Sequence, residues 1–381
     1  MKYRSLGRTN IQVSEVGFGC EFLEGKEFSV VKAAMDEAFR LGINIFDVFM
    51  SEPKVRTNIG ITLEGRREKA IIQGHLGALW ENGQYVRNLV DMNKIKDHFG
   101  DLLERLKTDY IDVGMIHFVD TDEDFEAAFN GELIGYAQEL RQKGVIKSIG
   151  VSSHRTPVAR RMVETGLIDV LMFSLNPAFD LMPGSLDIDA MFAADKSNMH
   201  KGIDPERMAL YQACERHGTA ITVMKAYMAA RLLGTDKNPF GQALTPSQCI
   251  HYALTRPAAA SALIGCVTPE DLRHAVAYEG ATDEERDFSI IFQKENLGAQ
   301  GQCMYCNHCL PCPAYIDIAQ VNKYLDLATA SDGIPATVAA HYNALPARAE
   351  HCTACGACEP RCPFDVPVRQ RMEEAKWVFG R

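Results

Sequence analysis

The C-terminal part of the chain holds a high concentration of cysteine. Eight of the twelve cysteines lie between positions 303 and 362, and the other four are spread through the preceding sequence. The eight form two runs, C-x-x-C-x-x-C-x-x-C-P and C-x-x-C-x-x-C-x-x-x-C-P. Thiolates at this spacing surround one iron–sulfur cube, and the remote cysteine of each run ordinarily ligates the other cluster. The spacing therefore predicts electron-transfer chemistry at two 4Fe-4S clusters.

This crossed pattern assigns four ligands to each cluster. Cluster I takes Cys303, Cys306, Cys309 and Cys362, and cluster II takes Cys352, Cys355, Cys358 and Cys312. Zinc is the competing occupant because it also uses paired C-x-x-C ligands, whereas a disulfide framework is disfavoured without a secretion signal. The region resembles a bacterial two-cluster ferredoxin, with one departure. Two residues, Leu310 and Pro311, separate the last two cysteines of the first run, where the ferredoxin pattern has three.

A second group of ionisable residues lies far from the cysteines. The apolar run AIIQGH ends at His75, and the run GMIH ends at His117. If both runs are parallel strands, their carboxyl ends meet at one face of a sheet or barrel. The two imidazoles are then expected to lie close together and to transfer protons near neutral pH.

The elements that position these residues alternate regularly. Eight short, nearly continuous apolar runs are separated by segments with helical periodicity in about the first 270 residues; the runs are VSEVGFG, NIFDVFM, KAIIQGHL, YIDVGMIHFV, IKSIGVSSH, VLMFSLNP, AITVMKAY and SALIGCV. Strands covered on both faces have this composition. The pattern predicts an α/β fold, a (β/α)8 TIM barrel over residues 1–285, followed by an α-rich ferredoxin-like iron–sulfur domain over residues 286–381.

Composition restricts the partners. The formal net charge is −10, which argues against a nucleic-acid surface because phosphate binding requires clustered Lys and Arg. No apolar run reaches the roughly 18 residues of a membrane helix, and the amino terminus lacks the apolar segment of a signal peptide. We expect a cytoplasmic protein that acts on a small molecule, with a ferredoxin or flavodoxin as a candidate electron donor.

Several barrel motifs together resemble the aldo-keto reductases, in the subfamily with a ferredoxin-like tail. They are GINIFDVFM, the NIG of residues 58–60, GRREKAIIQGH, LERLKTDYIDVGMIH and IKSIGVSSH. The resemblance implies carbonyl reduction by a nicotinamide hydride, with an Asp, Tyr, Lys and His tetrad. Asp47 and His117 match the Asp and His of that tetrad, while Glu52 stands in the place of the Tyr and His75 in the place of the Lys.

We therefore predict that Asp47, Glu52, His75 and His117 form the catalytic group. Two carboxylates and two imidazoles can transfer protons near neutral pH. The same residue types can also bind a divalent metal ion. A third interpretation is that they are hydrogen-bonded barrel residues in a site that has lost its activity.

The resemblance also implies positions for nicotinamide contacts, and several of them are altered. The candidate cofactor-binding residues are Ser152, Ser153, Asn176, Lys225, Gly265 and Thr268. Thr268 is placed to cap a helix whose amino terminus could receive a phosphate. Asp271 replaces an expected adenine-contacting amide, and no cation for a 2′-phosphate is evident, which favours NAD over NADP. Lys225 either contacts an anion or pairs with a carboxylate, and NAD(P)H binding is left open.

Three functions follow from these observations. In the first, electrons relayed by the clusters reduce an activated C=C bond or a carbonyl, or drive a reductive elimination, in the barrel mouth. In the second, the chain is an NAD(P)H-dependent carbonyl or enone reductase with accessory clusters. In the third, it is an electron carrier or redox-sensing protein on a catalytically silent barrel.

Overall fold

The structure is a computed structural model that describes residues 1–194, 196–295, 297, 300–330 and 333–380. Its strands, in chain order, are β1 (Tyr3–Ser5), β2 (Gln12–Ser14), β3 (Val16–Gly19), β4 (Ile45–Val48), β5 (Ile71–Leu76), β6 (Ala78–Glu81), β7 (Gln84–Arg87), β8 (Ile111–Ile116), β9 (Ile146–Ser153), β10 (Val170–Ser174), β11 (Ala220–Met224) and β12 (Ala259–Gly265). Eight of them close a parallel barrel in the order β10-β11-β12-β3-β4-β5-β8-β9. Each of the eight apolar runs supplies one barrel strand, so the predicted (β/α)8 barrel is confirmed.

The helices, in chain order, are α1 (Phe28–Arg40), α2 (Pro53–Leu63), α3 (Met92–Arg105), α4 (Asp122–Phe125), α5 (Glu132–Gln142), α6 (Thr156–Glu164), α7 (Pro177–Asp180), α8 (Ile188–Ala193), α9 (Pro205–His217), α10 (Pro246–Thr255), α11 (Pro269–Val276), α12 (Asp283–Arg286), α13 (Ile290–Glu295), α14 (Ile318–Thr329), α15 (Ala336–Asn343) and α16 (Val368–Phe379). Among the described residues after position 285, the regular elements are all helical, as predicted for the C-terminal region. No helix in the described part of the chain is long and apolar enough to cross a membrane.

The N-terminal end of the barrel is closed by the β1–β2 hairpin. Its two strands pair antiparallel, and Asn10 in the connection adopts φ 60°, a left-handed conformation that Asn tolerates. Leu6 and Val13 are fully buried and belong to one core cluster with barrel residues such as Ile45 and Val170. Apolar side chains therefore fill this end, which leaves the opposite end for polar groups.

A second hairpin, which our sequence interpretation missed, follows β5 at the C-terminal end of the barrel. Strands β6 and β7 pair antiparallel across Asn82 and Gly83, which have φ of 52° and 79°. Positive φ at both central residues is the type I′ geometry that Asn-Gly favours. The Ser51 hydroxyl donates to the carbonyl oxygen of Leu79 at 2.7 Å, which ties the hairpin to the loop after β4.

The chain divides into two compact units. The first comprises Met1–Leu175, Thr219–Ala226 and Ala258–Glu279 and includes every barrel strand. The second comprises Asn176–Gly218, Tyr227–Pro257 and Gly280–Arg381 and includes all eight clustered cysteines. The predicted domain boundary at residue 285 stays a prediction about the organisation of the sequence.

Candidate active site and cluster-binding cavities

Three of the four predicted catalytic residues meet at the C-terminal end of the barrel. His75 Nε2 lies 2.9 Å from Asp47 Oδ1, and His75 Nδ1 lies 2.7 Å from His117 Nδ1. Asp47 pairs in register with Gln73, two residues before His75, so both β5 side chains lie on the same face as Asp47. His117 immediately follows β8, the strand that pairs with β5. Strand register therefore brings the carboxylate and both imidazoles together.

A fourth residue, which the sequence interpretation did not include, extends this group. The hydroxyl oxygen of Tyr85, on β7, lies 2.7 Å from His117 Nε2. Asp47, His75, His117 and Tyr85 thus form one continuous hydrogen-bonded series, which we call the relay chain. The Asn-Gly pair of residues 82–83, flanked by strand-forming residues, was the signal that could have placed a hairpin, and hence this tyrosine, beside the site.

The relay chain is buried at one end and accessible at the other. Asp47 and His75 are 2% exposed, His117 is 6% exposed and Tyr85 is 41% exposed. The ring of Phe49 stacks on His117 with 5.6 Å between centroids and meets the Tyr85 ring edge-on. Tyr85 is therefore the member of the chain that a bound molecule can reach.

Burial also shifts the pKa values of two of the four residues in the relay chain. It lowers the pKa of His117 well below its ordinary value, and the nearby His75 lowers it further. Burial raises the pKa of the Tyr85 phenol to about 12. At neutral pH both groups are uncharged, so His117 offers one donor and one acceptor nitrogen, and Tyr85 keeps its hydroxyl proton.

The direction of the hydrogen bonds follows from the carboxylate end. The Gln73 amide donates to Asp47 Oδ1 at 3.0 Å, and the same oxygen accepts from His75 Nε2. When His75 holds a single proton, on Nε2, its Nδ1 is an acceptor and His117 donates from Nδ1. His117 Nε2 then accepts the hydroxyl proton of Tyr85. With the carboxylate as acceptor and one proton on each histidine, the direction of every hydrogen bond in the chain is defined.

The structure places Glu52 outside this chain. Glu52 precedes α2, and its Oε2 accepts a hydrogen bond from the backbone N–H of Gly25 at 3.0 Å. Within the described residues no hydrogen bond joins Glu52 to the relay chain. Glu52 is the residue immediately before the first helical residue, Pro53. A catalytic role for Glu52 stays a prediction.

A second carboxylate–imidazole pair lies at the ends of β8 and β9 and engages a predicted cofactor residue. Asp120 Oδ1 accepts from the Ser153 hydroxyl at 2.9 Å, and Oδ2 lies 3.0 Å from His154 Nδ1. Burial opposes ionisation of Asp120, but the hydrogen bonds and charge of His154 hold its pKa below the ordinary value. Ser152 Oγ accepts from the backbone N–H of Phe118 at 2.8 Å. Both predicted nicotinamide serines are thus engaged in shaping the strand ends.

The amino terminus of α11, which could receive a phosphate, has a carboxylate of the chain beside it. Thr268 and Asp271 form a reciprocal capping box at the start of α11. The Asp271 carboxylate accepts from the backbone N–H groups of Thr268 at 2.9 Å and Val267 at 3.2 Å. A methyl group added at Gly265 would lie 2.5 Å from the Phe22 ring, which covers this glycine. A carboxylate on these amides and a ring above Gly265 do not fit a pyrophosphate at this position.

The other two predicted cofactor residues lie at strand ends. Lys225 follows β11 and has a left-handed backbone conformation with φ 60°. Asn176 begins the second unit, is fully buried, and caps α7 by accepting from the backbone N–H groups of Ala178 and Phe179. Its side-chain oxygen therefore has a local structural task. Nicotinamide contacts by these residues stay predictions.

In the second unit the eight cysteines line two cavities, four to each, and their assignment as cluster ligands stays a prediction. Cys312, Cys352, Cys355 and Cys358 line one cavity, and Cys303, Cys306, Cys309 and Cys362 line another. Apolar side chains including Ile318 and Val368 line both cavities. Each cavity therefore offers four thiols and a largely apolar wall, the donor set and surroundings that suit a 4Fe-4S cube.

The arrangement differs from that of a single-ion site. In the described part of the chain, no three His, Cys, Asp or Glu side chains converge closely enough to hold one metal ion. Thiolates around a cube stand at its corners and bind different iron atoms, so they need not converge on one point. Cys306 and Cys309, which line the first cavity, are buried, whereas Cys355, which lines the second, is exposed.

Comparison with known proteins agrees with both parts of the chain. The aldo/keto reductase family model matches residues 15–179, and a 4Fe-4S dicluster domain model matches residues 302–367. The uncharacterized oxidoreductase YqkF of Bacillus subtilis is 30% identical over 301 residues, covering 75% of this chain and 94% of that protein. The L-galactose dehydrogenase of Arabidopsis thaliana is 28% identical over 200 residues, covering 48% of this chain and 61% of that protein.

A solved structure shares the barrel. Aldo-keto reductase AKR11C1 from Bacillus halodurans, in its holo form, aligns with a TM-score of 0.58 and 25% identity. The alignment covers 77% of this chain and 96% of that one. The fold and these matches together define a (β/α)8-barrel oxidoreductase. The chain belongs to the aldo/keto reductase family and carries a C-terminal 4Fe-4S dicluster domain.

Proposed function

We propose that this enzyme reduces a small organic molecule at the barrel mouth with electrons from its two clusters and protons from the relay chain. The observation that carries the proposal is the unbroken series from Asp47 through His75 and His117 to Tyr85. Three members are inaccessible and the fourth is exposed, as expected for a chain that delivers protons to its outer end.

The proton step uses a second ordering of the same hydrogen bonds. When the chain holds one additional proton, His75 carries a proton on each nitrogen and donates to both Asp47 and His117. His117 then donates from Nε2 to the Tyr85 oxygen, which frees the Tyr85 hydroxyl proton for the substrate. After that proton leaves, each donor passes one proton outward and the chain returns to its neutral ordering. One proton is delivered in each cycle, and the chain must then regain one from solvent through Tyr85, its exposed member, with each group passing one proton inward to His75.

Bound 4Fe-4S clusters would supply electrons singly, which suits reactions that take up electrons and protons in separate steps. The residues that hold them are the two cysteine sets of the second unit. The exposed Cys355 favours entry of electrons at cluster II, from a donor such as ferredoxin or flavodoxin. The substrate classes that consume both electrons and protons are activated C=C bonds, carbonyls and groups lost by reductive elimination.

Nicotinamide-dependent reduction of a carbonyl or enone is the second candidate. Asp47 and His117 stand at the positions of the family's aspartate and histidine, which favours it. The tyrosine and lysine positions are occupied by Glu52 and His75, and the Asp271 cap does not fit a pyrophosphate. We therefore derive no step through a nicotinamide.

An anaerobic titration of the iron-loaded enzyme separates the candidates. Cluster absorbance and nicotinamide fluorescence are followed during addition of NADH, NADPH or dithionite. We expect dithionite to bleach the clusters while neither nucleotide binds. Oxidation of reduced methyl viologen by 2-cyclohexen-1-one or cyclohexanone is then measured as a probe of reduction. Nucleotide binding with hydride-driven turnover would replace the first candidate by the second. If neither route reduces a broad panel of enones, carbonyls and eliminable substrates, the silent electron carrier takes its place.

A further inference from the structure

Arg256, the residue after α10, is a fully buried cation beside the cysteine loop of cluster I. Its Nη2 donates to the carbonyl oxygen of Met304 at 2.8 Å and to the Thr255 hydroxyl at 2.9 Å. Its Nε and Nη1 are buried and have no hydrogen-bond partner among the described residues. The guanidinium faces the rings of Tyr252 at 4.4 Å and Tyr305 at 5.0 Å. Aromatic faces attract the cation but supply no full negative charge.

The absence of a carboxylate distinguishes this arginine from comparable ones. The fully buried Arg56 and Arg207 pair with Asp101 at 3.3 Å and Asp180 at 2.8 Å. In the described part of the chain, no ion pair joins Arg256 to an acidic side chain. A buried charge without a counter-charge is strongly destabilising, so such a residue indicates an anion that completes the site.

The first cysteine cavity is a built place for an anion beside Arg256. Met304, whose carbonyl oxygen Arg256 binds, lies between Cys303 and Cys306 in the chain and lines that cavity with them. A 4Fe-4S cube held by four thiolates is an anion, and its reduction adds one more negative charge. The net charge and hydrogen bonds around a cluster set its reduction potential.

We propose that the Arg256 guanidinium is the buried counter-charge of cluster I and raises its reduction potential above the value that the cysteines alone would give. A cation in a low-dielectric interior favours the more negative, reduced state of a neighbouring cluster. Cluster II has a different neighbour: Arg369 lines its cavity, but the side chain is 55% exposed and pairs with Glu359 at 2.7 Å. Solvent and the glutamate screen that charge.

The higher reduction potential proposed for cluster I sets the direction of electron transfer between the two clusters. Electrons that enter at the exposed cluster II move to the cluster that holds them more firmly, which is cluster I. The proposal rests on cluster binding at the cysteines and is independent of the reaction in the barrel.

The test is a reductive titration of the holoenzyme, followed by electron paramagnetic resonance, in matched variants. Arg256→Gln removes the charge but keeps an N–H donor for Met304, whereas Arg256→Lys keeps the charge. We expect the first to shift one cluster's midpoint potential to a more negative value and to leave the other unchanged. The lysine variant should keep both potentials close to those of the unmodified enzyme. Arg369→Gln is the exposed control and should cause no comparable shift.

The affected cluster is identified in a Cys355→Ala background, which disrupts cluster II. The shift caused by Arg256→Gln must persist there, and its disappearance would overturn the proposal. Unchanged potentials in Arg256→Gln, an equal shift of both clusters, or a shift from Arg369→Gln of the same size would also overturn it. If Arg256→Gln does not assemble its clusters, Arg256→Lys decides: unchanged potentials support a role for the charge, and lowered potentials contradict it.

Discussion

Substitution of Tyr85 by Phe tests the relay chain at its exposed end, where we propose that the substrate binds. The change removes one hydroxyl and keeps the ring that packs edge-on against Phe49 at 6.5 Å. General acid catalysis by a positioned group contributes typically about 10²–10⁴-fold to rate, and we expect a loss in kcat of that order. His117 Nε2 loses its donor in a residue that is 6% exposed, so the free energy of unfolding should fall by about 1–3 kcal/mol. KM should change little because the ring remains.

The assay is anaerobic oxidation of reduced methyl viologen, with unfolding measured in parallel. Tyr3→Phe is the matched control, since the Tyr3 hydroxyl donates to the Gly42 carbonyl oxygen at 2.9 Å on the N-terminal hairpin. It should retain full turnover. A Tyr85→Phe enzyme whose kcat stays within about two-fold of the original would refute a proton-delivery role. Nitrogen-15 resonance of the histidines checks the ordering without turnover: neutral His117 should carry its proton on Nδ1, and a proton on Nε2 would contradict the derived direction.

Four further changes probe the same structure. His117→Gln should flatten the pH dependence of the free energy of unfolding. Burial lowers the pKa of His117 in the folded protein, so its contribution to stability is fully present above about pH 6.5 and falls below that pH by up to ~1.4 kcal/mol per pH unit. Denaturant unfolding from pH 7.5 to 5.5 measures this slope, and a slope equal to that of the unmodified enzyme would contradict the prediction. Gly83→Val should lower the free energy of unfolding by about 1–2 kcal/mol, because the φ of 79° at this turn is unfavourable for a β-branched residue, whereas Gly100→Ala, in open space on a helix, should raise it by about 0.5–1 kcal/mol. Thermal unfolding measures both variants, and equal shifts in Tm would disprove the argument from turn geometry. Asp47→Asn should lower kcat by about 10²-fold or more, because an amide can donate to the neighbouring imidazole and reverse the proton ordering; kinetics unchanged from the original would oppose this. Cys355→Ala should lower the iron content and abolish viologen-linked reduction, and continued NADH-driven turnover would exclude cluster-dependent reduction.

The barrel was predictable because its signals are local. Each strand of a parallel barrel is covered on both faces, so its sequence is a short apolar run between helical segments, and all eight runs became strands. The grouping of the cysteines could also be predicted from the sequence, since the dimensions of an iron–sulfur cube fix the spacing of its ligands. Both features are properties of neighbouring residues in the chain.

The hydrogen-bonded group at the barrel mouth was predicted only in part. Asp47, His75 and His117 were found because strand ends of a parallel barrel meet at one face. Glu52 was predicted to join them from its position in the sequence; its carboxylate accepts a hydrogen bond from the backbone N–H of Gly25, and its catalytic role stays a prediction.

The sequence by itself determined the barrel, the two cysteine sets and the histidines that follow the strands, because periodicity and spacing are encoded within short segments. The tertiary structure decided that Tyr85 completes the relay chain, that the Asp271 carboxylate accepts from the backbone N–H groups just before α11, and that Arg256 is buried beside the cluster I loop. Each of these depends on contacts between segments distant in sequence, or on side-chain direction after a turn. No local pattern specifies such contacts; they follow from strand register, hairpin geometry and packing.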